Sequence, residues 1–145
     1  MLLSIFLAAA LSSADLPLLD LTIGGGIAGA GPNFYVTLLR GGRLTVRKTS
    51  LPIVAPGKLT ETSTAVNIAP REAGALVRLA QAADDFGVGC ERAVTDGTSA
   101  HLLLRGSGQT VERTCFSAGE WPNGRKTKAF LKRLNAQLPP KLRVF

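Results

Sequence analysis

Two cysteines and one histidine are the residues of this 145-residue chain best suited to covalent or metal chemistry. Cys90 and Cys115 form an even pair, which is usually a disulfide in an oxidising compartment and two buried thiols in a reducing one. The bond would close a loop of about 25 residues, worth about 3 kcal/mol in the chain-entropy model. His101 lies in an alternating run with no acid or nucleophile beside it, so we interpret it as a half-exposed strand residue.

These residue types leave few ways to build an active site. The sequence has no P-loop, EF-hand, HExxH or GxSxG pattern, and a lone histidine limits both zinc binding and nucleophilic catalysis. Asp84 and Asp85 end a predicted helix and are interpreted as a solvated edge. We therefore predict no catalytic residue, no metal ligand and no cofactor. The alternative is an enzyme whose polar site assembles only in the folded chain.

A glycine-rich segment, LTIGGGIAGAG at 21–31, matches the G-x-G-x-x-G dinucleotide fingerprint and resembles the opening of flavin-dependent oxidoreductases. The fingerprint requires a helix after the glycines and an acidic residue about 20 positions further on. Pro32 and a strand-like stretch follow instead, and 46–49 reads Val-Arg-Lys-Thr. We interpret 15–33 as a Gly/Ala-rich linker that precedes a single domain at 34–145.

The basic residues are unevenly distributed. Ten Lys and Arg cancel ten Asp and Glu over 1–121, so the net charge of +7 lies entirely in 122–145. Helical spacing places Arg125, Lys128 and Lys132 on one face, flanked by Lys126 and Arg133. Such a face binds an acidic protein surface or an anionic envelope component, or is simply solvated; nucleic acid is disfavoured. Trp121, in the preceding loop, is either an anchor for the partner or a core residue. The candidate partner-binding residues are thus Trp121, Arg125, Lys126, Lys128, Lys132 and Arg133.

The first fourteen residues, MLLSIFLAAALSSA, have the apolar run and small-residue end of a signal peptide. Cleavage after Ala14 would leave Asp15 as the mature N-terminus. This interpretation predicts a periplasmic or secreted protein with a Cys90–Cys115 disulfide. A buried N-terminal helix is the alternative.

An internal repeat predicts the architecture. LLRGGRLTVRKT at 38–49 and LLRGSGQTVERT at 103–114 share seven of twelve residues, and both pass from one β-prone stretch through a glycine turn into another. The predicted hairpins pair 34–39 with 43–50 and 100–105 with 109–116, and a further strand is predicted at 92–95.

Each hairpin is followed by a helical pattern. Pro70 begins the first helix, which Gly87 and Gly89 stop, and Asn123 or Thr127 caps the second, which ends at Pro139. The predicted fold class is α+β: a ββα–ββα domain with an antiparallel sheet of four to five strands and two helices on one face.

This layout, with the run VTDGTSAHLLLRGSGQTVERT at 94–114 before a C-terminal helix, resembles small bacterial domains of the emfourin type. The resemblance covers about 34–138. It implies a compact α+β inhibitor of thermolysin-like metalloproteases or a relative of unknown role, and no functional residue is carried over from it. The sequence thus favours an exported, non-catalytic binding or inhibitor-type module whose partner is a protein with an acidic surface, such as a protease. An enzyme with a hidden polar site and an envelope protein held by the basic helix are the alternatives.

Overall fold

The described residues form six strands, most of them with alternating apolar and polar residues, in the computed structural model, which describes residues 16–25, 32–50, 59–90, 98–106, 109–116 and 121–144. The elements in chain order are β1 Pro17–Gly24, β2 Asn33–Leu39, β3 Arg43–Ser50, β4 Thr60–Asn67, α1 Pro70–Ala82, β5 Ser99–Arg105, β6 Thr110–Phe116 and α2 Arg125–Ala136, followed by a 3₁₀ turn, Pro140–Leu142. The strands form one sheet in the order β4-β3-β2-β1-β5-β6, and all neighbouring strands are antiparallel.

The α+β class, the antiparallel sheet and both predicted hairpins are confirmed, but the predicted strand number and element order are wrong. β4 lies in a Thr/Ser-rich stretch that the ββα–ββα order leaves as a loop, and β1 precedes the first hairpin. The predicted strand at 92–95 and the predicted signal peptide lie outside the described residues.

β1 also corrects the predicted linker at 15–33. Leu19, Leu21 and Ile23 alternate along β1 and are buried, and β1 pairs with β2 on one side and β5 on the other. The strand therefore joins the two hairpins into one sheet, and the domain includes Pro17–Gly24.

The core lies between one face of the sheet and the two helices. Leu38, Leu44 and Leu102 on the sheet and Phe130 on α2 have no exposed surface. The residues that alternate with the buried ones along the strands, such as Tyr35 and His101, lie on the outer face of the sheet and are partly exposed. Each strand thus supplies one face to the core and one to solvent.

The turn between β2 and β3 requires glycine at its last position. The Gly42 amide donates to the Leu39 carbonyl at 2.9 Å, and Gly42 has a φ of +88°. A Cβ there would lie 2.6 Å from the carbonyl oxygen of Ile68. Both the left-handed backbone and this close approach exclude larger residues.

Helix α1 begins as predicted, with Pro70 in its first turn, but ends at Ala82 rather than at Gly87. The Arg113 guanidinium of β6 donates to the carbonyl oxygen of Gln81 at 2.9 Å. Helix α1 has no basic residue in its own last turn. Arg113 of β6 thus supplies the positive charge that a helix C-terminus favours.

Candidate functional site

The N-terminus of α2 is capped by a residue from another part of the chain. The N-cap residue is Gly124, so neither Asn123 nor Thr127 caps the helix as predicted. The Asp85 carboxylate accepts hydrogen bonds from the amides of Lys126 (2.8 Å) and Thr127 (2.9 Å) and from the Thr127 hydroxyl (2.7 Å). These amides are the two that an N-cap side chain normally satisfies. Asp85 therefore replaces the side chain that Gly124 lacks.

The electrostatics of Asp85 agree with this role. Partial burial acts to raise the pKa of Asp85, but hydrogen bonds from Thr127 and Lys126 and the Lys126 charge outweigh it and lower the pKa below its ordinary value. The neighbouring Asp84 pairs with the Lys126 ammonium at 2.9 Å. The two aspartates, interpreted from sequence as a solvated edge, thus both hold the start of α2.

Trp121 is a core residue rather than a surface anchor. Its side chain is buried, its Nε1 donates to the carbonyl oxygen of Phe86 at 2.9 Å, and its ring lies edge-on to the Phe86 ring at 5.0 Å. The Trp121–Pro122 peptide bond is cis. Of the two roles predicted for Trp121, the structure therefore supports that of a core residue.

The predicted disulfide is present. Cys90 and Cys115 are bonded, with their Cα atoms 5.2 Å apart, and join the segment after α1 to β6. That segment also carries Asp85 and Phe86, which hold the start of α2. The disulfide, the Trp121 contacts and the Asp85 cap thus lie along one short stretch, residues 83–90, and the bond is compatible with an oxidising, extracellular compartment.

Two of the predicted partner-binding cations are engaged within the protein. Lys126 pairs with Asp84, and the Arg133 guanidinium donates from Nε to Glu72 Oε2 of α1 at 3.0 Å and from Nη2 to Oε1. The hydrogen bond from Arg133 lowers the pKa of Glu72, and the same bond raises the pKa of Arg133. Arg133 therefore ties α2 to α1 and is not free to bind a partner without losing this pair.

The other three predicted cations form one exposed stripe on α2. Arg125, Lys128 and Lys132 are exposed and make no ion pair with any residue that the structure describes. Arg143, from the chain after the 3₁₀ turn, was not among the predicted site residues. The sequence shows it only as part of the basic tail, and the fold brings it beside α2.

Lys128, Lys132 and Arg143 border a shallow groove of about 430 Å³. The remaining lining residues are apolar or neutral: Pro122, Leu131, Asn135 and Ala136. A groove with an apolar floor and three cations at its border offers hydrophobic contact to a partner together with attraction for its carboxylates. We call this the α2 groove.

Polar pairs also occur on the outer face of the sheet. His101 Nε2 lies 2.6 Å from Glu112 Oε1 across β5 and β6, and Arg105 pairs with Asp20 of β1, which also accepts from the Thr37 hydroxyl at 2.8 Å. No acid stands beside His101 in the sequence, because Glu112 is adjacent to it only through strand pairing. These are cross-strand pairs on the solvent-facing side of the sheet.

Within the described residues, no group of three His, Cys, Asp or Glu side chains is placed to hold a metal ion. No helix in that part of the chain is both long enough and apolar enough to span a bilayer. No protein-family model matches this chain, and no curated protein matches it.

Proposed function

We propose that this protein is an exported, non-catalytic binding domain that recognises an acidic surface of a protein partner through the α2 groove. The observation that carries the proposal is the set of three exposed cations without ion pairs to described residues, Lys128, Lys132 and Arg143, around an apolar floor. An exposed cation that pairs with nothing in its own protein retains its full attraction for a partner's carboxylates.

The support of α2 favours binding over a purely solubilising role for its charge. Asp85 caps the helix, and Glu72 ties Arg133 to α1, so both ends of α2 are anchored to the rest of the domain. Cations on a rigid helix bind a partner at a smaller loss of conformational freedom than cations on a loop. An inhibitor-type role towards a protease is the form of this function that the emfourin resemblance implies.

Export is the second part of the proposal. The apolar run at 1–14 and the Cys90–Cys115 disulfide support it. Mass spectrometry of the native protein should find Asp15 at its N-terminus, and an intact Met1 on a protein of the cytosol would refute export.

The binding test uses the mature, oxidised protein and a labelled decapeptide of glutamate and leucine, titrated by fluorescence anisotropy. The triple variant K128Q/K132Q/R143Q should bind the peptide at least tenfold more weakly than the parent at low salt. Added salt should weaken the parent in the same way, because screening and charge removal act on one attraction.

The control variant R40Q/R71Q/R78Q removes three exposed arginines outside the α2 groove and has the same net charge as the groove variant. It should bind the peptide nearly as the parent does. Equal losses in both triple variants would show that only net charge matters, and an unchanged affinity in the groove variant would exclude the groove as the binding site.

A further inference from the structure

The outer edge of β4 is a second feature with the properties of a binding surface, separate from the α2 groove. β4 pairs with β3 over eight consecutive residues, from Arg43↔Asn67 to Ser50↔Thr60, and no described strand pairs with its other side. Most of its side chains are exposed. A long, regular edge of this kind presents a row of unpaired main-chain donors and acceptors.

The direction of these main-chain groups follows from the ladder. The Ile68 amide donates to the Gly42 carbonyl at 2.9 Å, so Ile68 is oriented towards the β3 side. In a regular antiparallel pair the orientation alternates along the strand. The main-chain groups of Thr64 therefore point to β3, and those of Ser63 and Ala65 point outwards.

The opposite edge strand, β6, carries two adjacent charges, Glu112 and Arg113, and a disulfide, which β4 lacks. On β6, Glu112 contacts His101, Arg113 donates to α1, and Cys115 is bonded to Cys90. β4 contains no proline, shows no register shift against β3, and carries one charge, Glu61, near its beginning. Natural sheets usually blunt an exposed edge with charges, prolines or bulges, so the exposure of β4 indicates use.

Depressions of about 460 Å³ each flank β4 on both faces of the sheet. The one on the outer face lies over the small side chains of Ser63 and Ala65, with Arg43 and Arg47 at its border and no acidic residue in its lining. Neither arginine has an ion pair with a described residue, and Arg47 lies 4.4 Å from the centroid of the Tyr35 ring.

The depression on the inner face is different in character. It is lined by Thr62, Ser63 and Thr64 of β4 and by Pro139, Pro140, Lys141 and Leu142 of the C-terminal segment. Prolines and a leucine offer apolar contact, and Lys141 adds another cation. An extended chain lying along β4 would thus meet arginines on one face of the sheet and apolar groups on the other.

We propose that the outer edge of β4 accepts an extended acidic peptide segment of a protein partner as a seventh strand of the sheet. Main-chain hydrogen bonds to Ser63 and Ala65 supply the binding, and alternate side chains supply the specificity. The added strand would lie about 10 Å from β3, two strand spacings away. A glutamate and an arginine reaching towards each other over Ser63 span that distance.

The register of the peptide follows from the same geometry. Arg47 is paired with Ser63 and Arg43 with Asn67, so acidic residues opposite Ser63 and Asn67 face the two arginines. An acidic residue opposite Glu61 is disfavoured by charge repulsion. The segment therefore carries acidic residues at i and i+4 on one face and apolar residues on the other.

The test uses a capped seven-residue peptide, Val-Glu-Val-Thr-Val-Glu-Val, which has glutamates at i and i+4 on one face and valines on the other, and the mature oxidised protein carrying K128Q/K132Q/R143Q. This background removes the three cations on which the proposed function depends, so failure of one proposal can be distinguished from failure of the other. At saturating peptide, hydrogen exchange of the Ser63 and Ala65 amides should slow at least tenfold, because both become donors in the new ladder.

The decisive variant is Ser63→Pro. The Ser63 amide makes no bond to β3 in this ladder, so a proline there preserves the sheet while it removes an outward donor. S63P should bind the peptide at least tenfold more weakly with little change in thermal stability. Thr64→Pro is the matched control for orientation, since it breaks the β3–β4 ladder and should lower the melting temperature.

A second measurement does not depend on the folding of any proline variant. The same peptide methylated on the amide nitrogens that face β4 cannot form the ladder. It should bind the K128Q/K132Q/R143Q protein, which keeps Ser63, at least tenfold more weakly than the unmethylated peptide.

The charge contribution is tested separately. R43Q/R47Q should lose the salt dependence of binding but keep affinity for the same peptide with glutamine in place of glutamate. Equal binding of the methylated and unmethylated peptides would overturn the proposal. A second result would also overturn it: the free protein dimerises, S63P abolishes the dimer, and no peptide binds. The occupant of the edge would then be a second copy of this chain.

Discussion

The cap that Asp85 provides to α2 can be tested by Asp85→Ala. The substitution removes three hydrogen bonds at once: those from the Lys126 amide, the Thr127 amide and the Thr127 hydroxyl. Loss of an N-cap costs about 1 kcal/mol, and the fully buried Thr127 hydroxyl loses its acceptor at a further cost of about 2 kcal/mol. We expect a loss of about 3 kcal/mol in the free energy of unfolding, measured by urea denaturation.

The neighbouring Asp84→Ala is the matched control. Its pair with Lys126 joins two exposed side chains, 66% and 52% accessible, so its removal should cost less than about 1 kcal/mol. A double-mutant cycle of D85A with Thr127→Val should show strong coupling, since both variants remove the same bond. The cap is refuted if D85A is no less stable than D84A.

The geometry also predicts that a better capping residue at the N-cap will destabilise the protein. Serine normally exceeds glycine at this position. A Cβ on Gly124, however, would lie 2.3 Å from Asp85 Cγ and 2.5 Å from its carbonyl oxygen. Gly124→Ser should therefore cost about 1–3 kcal/mol through displacement of Asp85. A stabilised G124S would show that Asp85 does not occupy the cap.

Three further predictions concern stability. Because the folded-state pKa of Asp85 is lowered, its contribution is present above the unfolded-state value of about 4 and is lost as the pH falls further. D85N should accordingly lose less stability than the parent as the pH falls from 5 to 2 in acid titrations, because the difference between the two proteins isolates proton uptake by the Asp85 carboxylate. Reduction of Cys90–Cys115 should lower the free energy of unfolding by about 2–4 kcal/mol, and free alkylation of both thiols in unreduced protein would contradict the disulfide. Gly42→Ala should destabilise the β2–β3 turn by at least about 1 kcal/mol by calorimetry, since it strains the positive φ and meets the Ile68 carbonyl.

Local patterns determined the two hairpins, both helices and the cysteine pair. The repeated glycine turn between β-prone segments is a signal contained within a dozen residues, and the apolar spacing of each helix is contained within about two turns. Two cysteines allow only one intramolecular pairing. These features need no knowledge of distant residues, and the structure confirms them.

β1 and β4 were missed for different reasons. In β1 the alternation of Leu19, Leu21 and Ile23 runs directly into a glycine-rich stretch, whose composition suggests a linker. β4 has little apolar alternation because it is an edge strand with mostly exposed side chains, and it becomes a strand by pairing with β3. Strand pairing of this kind depends on tertiary context more than on propensity.

Composition places the basic charge in the last 24 residues, and helical periodicity puts Arg125, Lys128 and Lys132 on one face of α2. Which of these cations are available to a partner depends on contacts that form only in the folded protein. Arg133 and Lys126 are paired with acids 61 and 42 residues away in the chain, whereas Arg143 is brought beside α2. Helical periodicity fixes the direction of a side chain, whereas its ion pairs and burial depend on elements that only folding brings into contact.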